Sequence, residues 1–214
     1  MVESHAPTFD HPELPSLDQE TISMGMWVFL AGEVMFFGVL FTVYIIYRLN
    51  YPQVFAEASR HLDALIGSAN TFLLLTSSLT VALAVHAAKF GKRRLLIIFM
   101  LVTIILGAAF LGLKGLEYYH EFEQNLFPGG SFSYPGPDPQ RAELFFSLYF
   151  TMTGLHALHM LAGISVFLVV IFKAWRQGNS PENYAPVELA GLFWHFVDVV
   201  WIFIFPVLYL IDRI

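Results

Sequence analysis

The chain has 214 residues, 57% of them hydrophobic, and its 17 acidic and 11 basic residues leave a net charge of −6. A soluble domain carries about a quarter charged residues, whereas here the share is 13%, which excludes an ordinary soluble globule. Mild acidity also argues against a nucleic-acid surface, and the absence of cysteine excludes disulfides, iron–sulfur clusters, thiolate copper sites and c-type haem attachment.

Residues 1–22 read as an acidic tail. They hold Glu3, Asp10, Glu13, Asp18 and Glu20, three prolines (Pro7, Pro12 and Pro15) and no Lys or Arg. A secretory signal opens on a basic region, so no cleaved signal is expected. Five apolar runs follow, at Met24–Tyr47, Ala64–Ala88, Leu95–Leu113, Leu144–Phe172 and Leu189–Ile211, and together they contain only two formal charges, Glu33 and Asp198. Each run meets the roughly 18–20 residues a helix needs to cross hydrocarbon. They lack the period-two alternation of a β-barrel. The predicted fold is therefore an all-α membrane protein, a bundle of five transmembrane helices over residues 23–214.

The connections are Arg48–Asp63, the basic link Lys89–Arg94, the long Lys114–Glu143 and Lys173–Glu188. The third contains PGGSFSYPGPDP, Pro128–Pro139, whose glycines and prolines forbid a helix. An odd number of spans puts the termini on opposite sides. The N-terminal side collects Lys89, Lys92, Arg93, Arg94, Lys173 and Arg176; the other collects Arg48, Arg60, Lys114, Arg141 and Arg213. Short basic loops stay inside, so the N-terminus is expected inside and Ile214 outside. Trp27, Tyr44, Tyr47, Tyr118, Tyr119, Trp175 and Tyr209 flank the spans as interfacial anchors.

Ionisable groups at bilayer depth are costly, so each requires a reason. Glu33 and Asp198 each lie about 13 Å into a run at a helical rise of about 1.5 Å per residue. The first and fifth spans run in the same direction, which places both carboxyls at similar depth. His195 precedes Asp198 by one turn, and His156 and His159 share a face of the fourth span. His86, beside Lys89, reads as interfacial. Three readings compete for these groups: mutual hydrogen bonds that pin helices together, a metal or haem site, and a proton or ion relay. Asn70, Thr71, Thr76, Ser77, Ser78 and Thr80 make the second span polar along its length, and Gly154 and Gly163 lie on the fourth. Small and hydroxyl residues of this kind serve helix packing in membranes.

Several stretches together resemble subunit III of the haem–copper respiratory oxidases. They are WVFLAGEVMFFGVLFTVYIIYR with Glu33, SANTFLLLTSSLTVALAVHAA, LKGLEYYHEF at Leu113–Phe122, TGLHALHMLAG at Thr153–Gly163, and ELAGLFWHFVDVVWIFIF at Glu188–Phe205. The resemblance covers Ser23 to the C-terminus and leaves out the acidic tail and the Pro128–Pro139 stretch.

The resemblance implies a non-catalytic integral subunit that has no metal and no catalytic residue of its own. It would act within a complex that reduces dioxygen to water with proton pumping, in a bacterial plasma membrane. Haem and copper would belong to subunit I, the main contact; subunit II, membrane lipids and a larger respiratory supercomplex complete the implied partners. Bound phospholipid and support of proton uptake are implied as well. Glu33, His156, His159, His195 and Asp198 would form a buried polar network, with Glu188, Asn70, His86 and Glu117 as secondary members. Longer family members have two further helices that bound a lipid cleft, and this chain lacks them. The alternative readings are an accessory subunit of bacterial nitric oxide reductase, and a stand-alone membrane transporter or haem protein.

Overall fold

The computed structural model describes residues 17–177 and 184–211. It consists of helices α1 (Leu17–Asn50), α2 (Pro52–His61), α3 (Ala64–Lys89), α4 (Arg93–Glu123), α5 (Pro139–Gln177) and α6 (Ala185–Phe205), the last continued by a π turn at Pro206–Leu210. All but α2 are long and apolar enough to cross a membrane, which gives the five spans expected.

The helices overrun the apolar runs at nearly every end. α1 begins at Leu17, ahead of the expected tail boundary, and the rest of the acidic tail lies outside the described residues. The link after the first span is not a loop but mostly α2, opened by Pro52 in its first turn, where a missing N–H costs nothing. α2 buries Phe55, Ala58 and Ser59 and lays an apolar face on the end of the bundle. Asp63 then caps α3, its carboxylate accepting from Leu65 N at 2.8 Å and Ile66 N at 3.3 Å.

Between α3 and α4 only a tight turn remains. Gly91 takes φ 65°, Lys92 N donates to Ala87 O at 2.9 Å and Gly91 N to Ala88 O at 3.0 Å. That is the glycine-dependent helix ending expected for a left-handed residue. The Pro128–Pro139 stretch is non-helical up to Asp138, and Pro139 opens α5. Ser133 N to Asn125 O at 2.9 Å and Gly129 N to Glu143 Oε1 at 3.0 Å fold this stretch onto the start of α5.

α6 forms the centre, with Val197, Trp194, Trp201 and Ile204 buried, and α1, α3, α4 and α5 surround it. Residues such as Ile98, Ile105, Phe72 and Leu168 remain outward and apolar, as a lipid-facing surface requires. Because inside and outside are equally greasy, hydrophobicity cannot choose which face packs; close approach does. Trp194 shows how. Its ring lies where a Cβ on Gly107 of α4 or Gly163 of α5 would stand, at 2.8 Å in each case.

The π turn has a local consequence. Ile211 N bonds Pro206 O at 3.1 Å, one residue further back than an α-helix would reach. Val207 O is thereby freed, and it accepts Tyr44 Oη from α1 at 2.9 Å.

Gly163→Ala should therefore force the Trp194 ring aside and cost about 1–3 kcal/mol. Gly112→Ala, where nothing lies within 4 Å, should be neutral or slightly stabilising. Thermal release of this chain from the detergent-solubilised complex is the measurement, with the Gly163 variant released at the lower temperature.

Candidate functional site

Among the described residues, three groups hold most of the ionisable side chains inside the spans. In the first, Glu33 of α1 meets His159 of α5, Oε2 to Nε2 at 3.1 Å. The other ring nitrogen of His159, Nδ1, lies 2.8 Å from Leu155 O. A carbonyl oxygen only accepts, so Nδ1 carries the hydrogen. Nε2 then either accepts from a protonated Glu33 or, as imidazolium, donates to its carboxylate. In both states the pair shares one proton between Oε2 and Nε2. Phe37 packs edge-on against the His159 ring at 5.3 Å, and both polar side chains remain partly open, 21% and 17% exposed.

In the second group, His195 of α6 bonds through Nδ1 to Ser78 Oγ of α3 at 2.7 Å. Asp198, one turn on, is buried and makes no hydrogen bond, although the Ser78 hydroxyl faces its carboxyl. Around these, Trp194 Nε1 donates to Ser77 Oγ at 3.0 Å and Trp201 Nε1 to Thr71 Oγ1 at 3.1 Å. The hydroxyls of α3 thus act as acceptors for the tryptophans of α6, which is the packing role their sequence pattern suggested.

The expected single network of Glu33, His195 and Asp198 is therefore divided. Phe29 meets Phe193 and Phe37 meets Phe196, so α1 and α6 lie side by side in parallel, with Glu33 level with the turn that carries His195. Glu33 nevertheless turns to α5, while His195 and Asp198 turn to α3. His156 joins neither pair. It is buried between the rings of Phe110 and Trp201, at 5.4 and 5.1 Å, with both nitrogens free of hydrogen bonds.

Of the secondary candidates, Glu188 forms an exposed ion pair with Lys89 at 2.8 Å. Asn70 is buried without a hydrogen-bond partner. His86 is exposed in the last turn of α3 beside Phe90.

Glu117 leads to the third group, which sequence reasoning largely missed. Lys114, treated above as the start of a loop, is 3% exposed inside α4. Its ammonium donates to Glu117 Oε2 at 3.0 Å, Tyr149 Oη at 3.0 Å and Tyr209 Oη at 2.5 Å. Three hydrogens thus meet three acceptors. Tyr209 donates onward to Glu117 Oε1 at 2.5 Å. The rings of Tyr149, Tyr209, Trp201 and Tyr118 stand 4.7–5.5 Å from the charge, at cation–π range. Glu121, one turn further, is 5% exposed.

A sequence signal for this group existed. Lys114, Glu117 and Glu121 fall on one helical face, whereas Leu116, Tyr119 and Phe122 occupy the other and are 62–64% exposed. A polar stripe opposite an apolar one, at the end of a membrane run, marks a span that continues with its polar face inward.

Among the described residues, no group of three or more His, Cys, Asp or Glu side chains is arranged to hold a metal ion.

The sequence profile of cytochrome c oxidase subunit III matches residues 15–212. The chain belongs to that family. It is 35% identical to cytochrome c oxidase subunit 3 of Alkalihalophilus pseudofirmus over 94% of this chain and 91% of that one. It is 30% identical to cytochrome bo(3) ubiquinol oxidase subunit 3 of Pseudomonas aeruginosa, over 100% and 96% of the two chains. A quinol oxidase subunit 3 of Bacillus spizizenii is also 30% identical, over 87% and 85%. The chain is thus an accessory subunit of a haem–copper terminal oxidase and an integral membrane protein, and the nitric oxide reductase reading is not favoured.

Lys114→Met should leave the Glu117 carboxylate buried without its counter-ion and destabilise the bundle by about 3–5 kcal/mol. Replacing both members, Lys114→Met with Glu117→Gln, should recover much of that loss. A double-mutant cycle on the temperature of subunit release reads both numbers, and a double variant no more stable than the single would contradict the pairing.

Proposed function

We propose that this chain is the non-catalytic membrane partner of the oxidase's haem- and copper-bearing subunit I, also in contact with subunit II and with membrane phospholipid. It carries no metal or haem of its own. The electron donor, cytochrome c or a quinol, binds elsewhere in the complex. The complex reduces dioxygen to water and pumps protons in a bacterial plasma membrane.

The observation that supports a role in proton uptake is the Glu33–His159 pair. Its fixed tautomer leaves one proton shared across a 3.1 Å contact, partly open at the helix surface. Such a pair can accept a proton, hold it and pass it on with little rearrangement. Asp198, buried in α6, and His195, bonded to Ser78 of α3, serve helix packing instead.

Sidedness follows from charge. With Lys114 buried in its ion pair, the α2 side keeps Arg48, Arg60, Arg141 and Arg213 as its arginines and lysines. The opposite side keeps its short turn of Lys89, Lys92, Arg93 and Arg94, and that weighting places the turn and the N-terminus inside.

The deciding experiment is purification of the native complex, with identification of co-purifying subunits, haems and metals. Stoichiometric haem, iron or copper on the separated chain would overturn the non-catalytic reading. Glu33→Gln should assemble normally yet shorten the number of turnovers before inactivation or slow proton uptake. Asp198→Ala should instead reduce retention of this chain while leaving the haem spectrum unchanged. Because the chain has no cysteine, Lys92→Cys can be labelled without background; reaction with an impermeant reagent added outside intact cells would reverse the proposed orientation.

A further inference from the structure

Lys114, Glu117 and Glu121 lie on one face of α4, spaced three and four residues apart, and none is more than 5% exposed. Glu117 is fully engaged. One oxygen accepts from Lys114 and the other from Tyr209. Glu121 is not: both its oxygens are shut off from solvent and make no hydrogen bond. The polar groups that face it are Lys114, Glu117 and Tyr149.

Tyr149 Oη accepts from Lys114 at 3.0 Å and lies 3.5 Å from Tyr209 Oη, whose single hydrogen goes to Glu117. The hydrogen of Tyr149 is unassigned, and Glu121 is the carboxyl that faces it. One buried ammonium therefore serves two buried carboxyls. Carboxylates that share a site away from water do not both stay ionised, because an uncompensated charge there loses its hydration with no partner to replace it.

We propose that this cluster is a proton-binding site, with Glu117 as the carboxylate partner of Lys114 and Glu121 as the holder of one exchangeable proton. Lys114 donates to Glu117 and to Tyr149, the hydroxyl that faces Glu121. Uptake forms an O–H bond on Glu121, and release returns the proton to water and leaves the carboxylate. Glu121 lies in the last turn of α4, and its backbone oxygen accepts from Leu126 N at 3.0 Å, at the edge of the segment folded over this end of the bundle.

In the other direction the polar face of α5 continues inward. Thr153 Oγ1 bonds Tyr149 O at 2.6 Å and Tyr118 Oη at 2.5 Å. One turn on, His156 is buried with both nitrogens unpartnered. The site is contained within this chain and does not rest on the Glu33–His159 reading.

Infrared spectroscopy of the intact purified oxidase, in light and heavy water, tests the proposal. The wild-type complex should show a carbonyl stretch of a protonated carboxyl that shifts in heavy water. Glu121→Gln should remove that band with subunit content and haem spectrum unchanged. Glu117→Gln should remove it too, because Lys114 then takes Glu121 as its carboxylate. A band that survives Glu121→Gln, that survives Glu117→Gln, or that does not respond to heavy water would overturn the proposal. If the Glu121→Gln complex dissociates, Glu121→Asp keeps the acid and should displace the band; an unchanged spectrum counts against the site equally.

Discussion

A polar group carried into hydrocarbon has to find its partner inside the bundle, because the lipid offers none. The interaction that meets this demand most completely is the Lys114–Glu117 ion pair. The ammonium donates to the Glu117 carboxylate and two tyrosine hydroxyls, and four aromatic rings surround it. Its members come from α4, α5 and the π turn after α6, so satisfying one charge fixes three helices against each other. The π turn belongs to the same arrangement. By skipping one residue it frees Val207 O for Tyr44 of α1, so a fourth helix is tied at the same end.

Elsewhere the bundle relies on shape. Trp194 enters a slot made by Gly107 and Gly163, and its indole nitrogen still reaches Ser77. Trp201 likewise is buried with its single polar atom satisfied, its indole nitrogen donating to Thr71. α1 is the exception. Among its described side chains it buries Leu30, Phe37 and Tyr44, at intervals of two turns, and the Glu33–His159 contact ties it to α5.

Much of the fold was legible from composition and run length. The number of spans, their order and the non-helical character of the Pro128–Pro139 stretch all follow from apolar length and proline chemistry. α2 was not legible, because its pattern buries only Phe55, Ala58 and Ser59, and an amphipathic helix of ten residues resembles a polar loop. Helix ends were misplaced for a related reason. An apolar run stops at its first charge, whereas α4 carries Lys114, Glu117 and Glu121 inward for most of its remaining turns.

The sequence by itself determined that the chain crosses a membrane, that it belongs with the oxidase subunits, and which ionisable residues would need partners. It could not determine which partner each would take. Spacing along one helix reports only which residues share a face; the rotation of that face toward one neighbour or another depends on close packing between helices. Thus Glu33 turns to His159, His195 to Ser78 and Lys114 to Glu117 and Tyr209. Those choices were made by glycine slots, a tryptophan wedge and a π turn, which act only once the five spans are assembled.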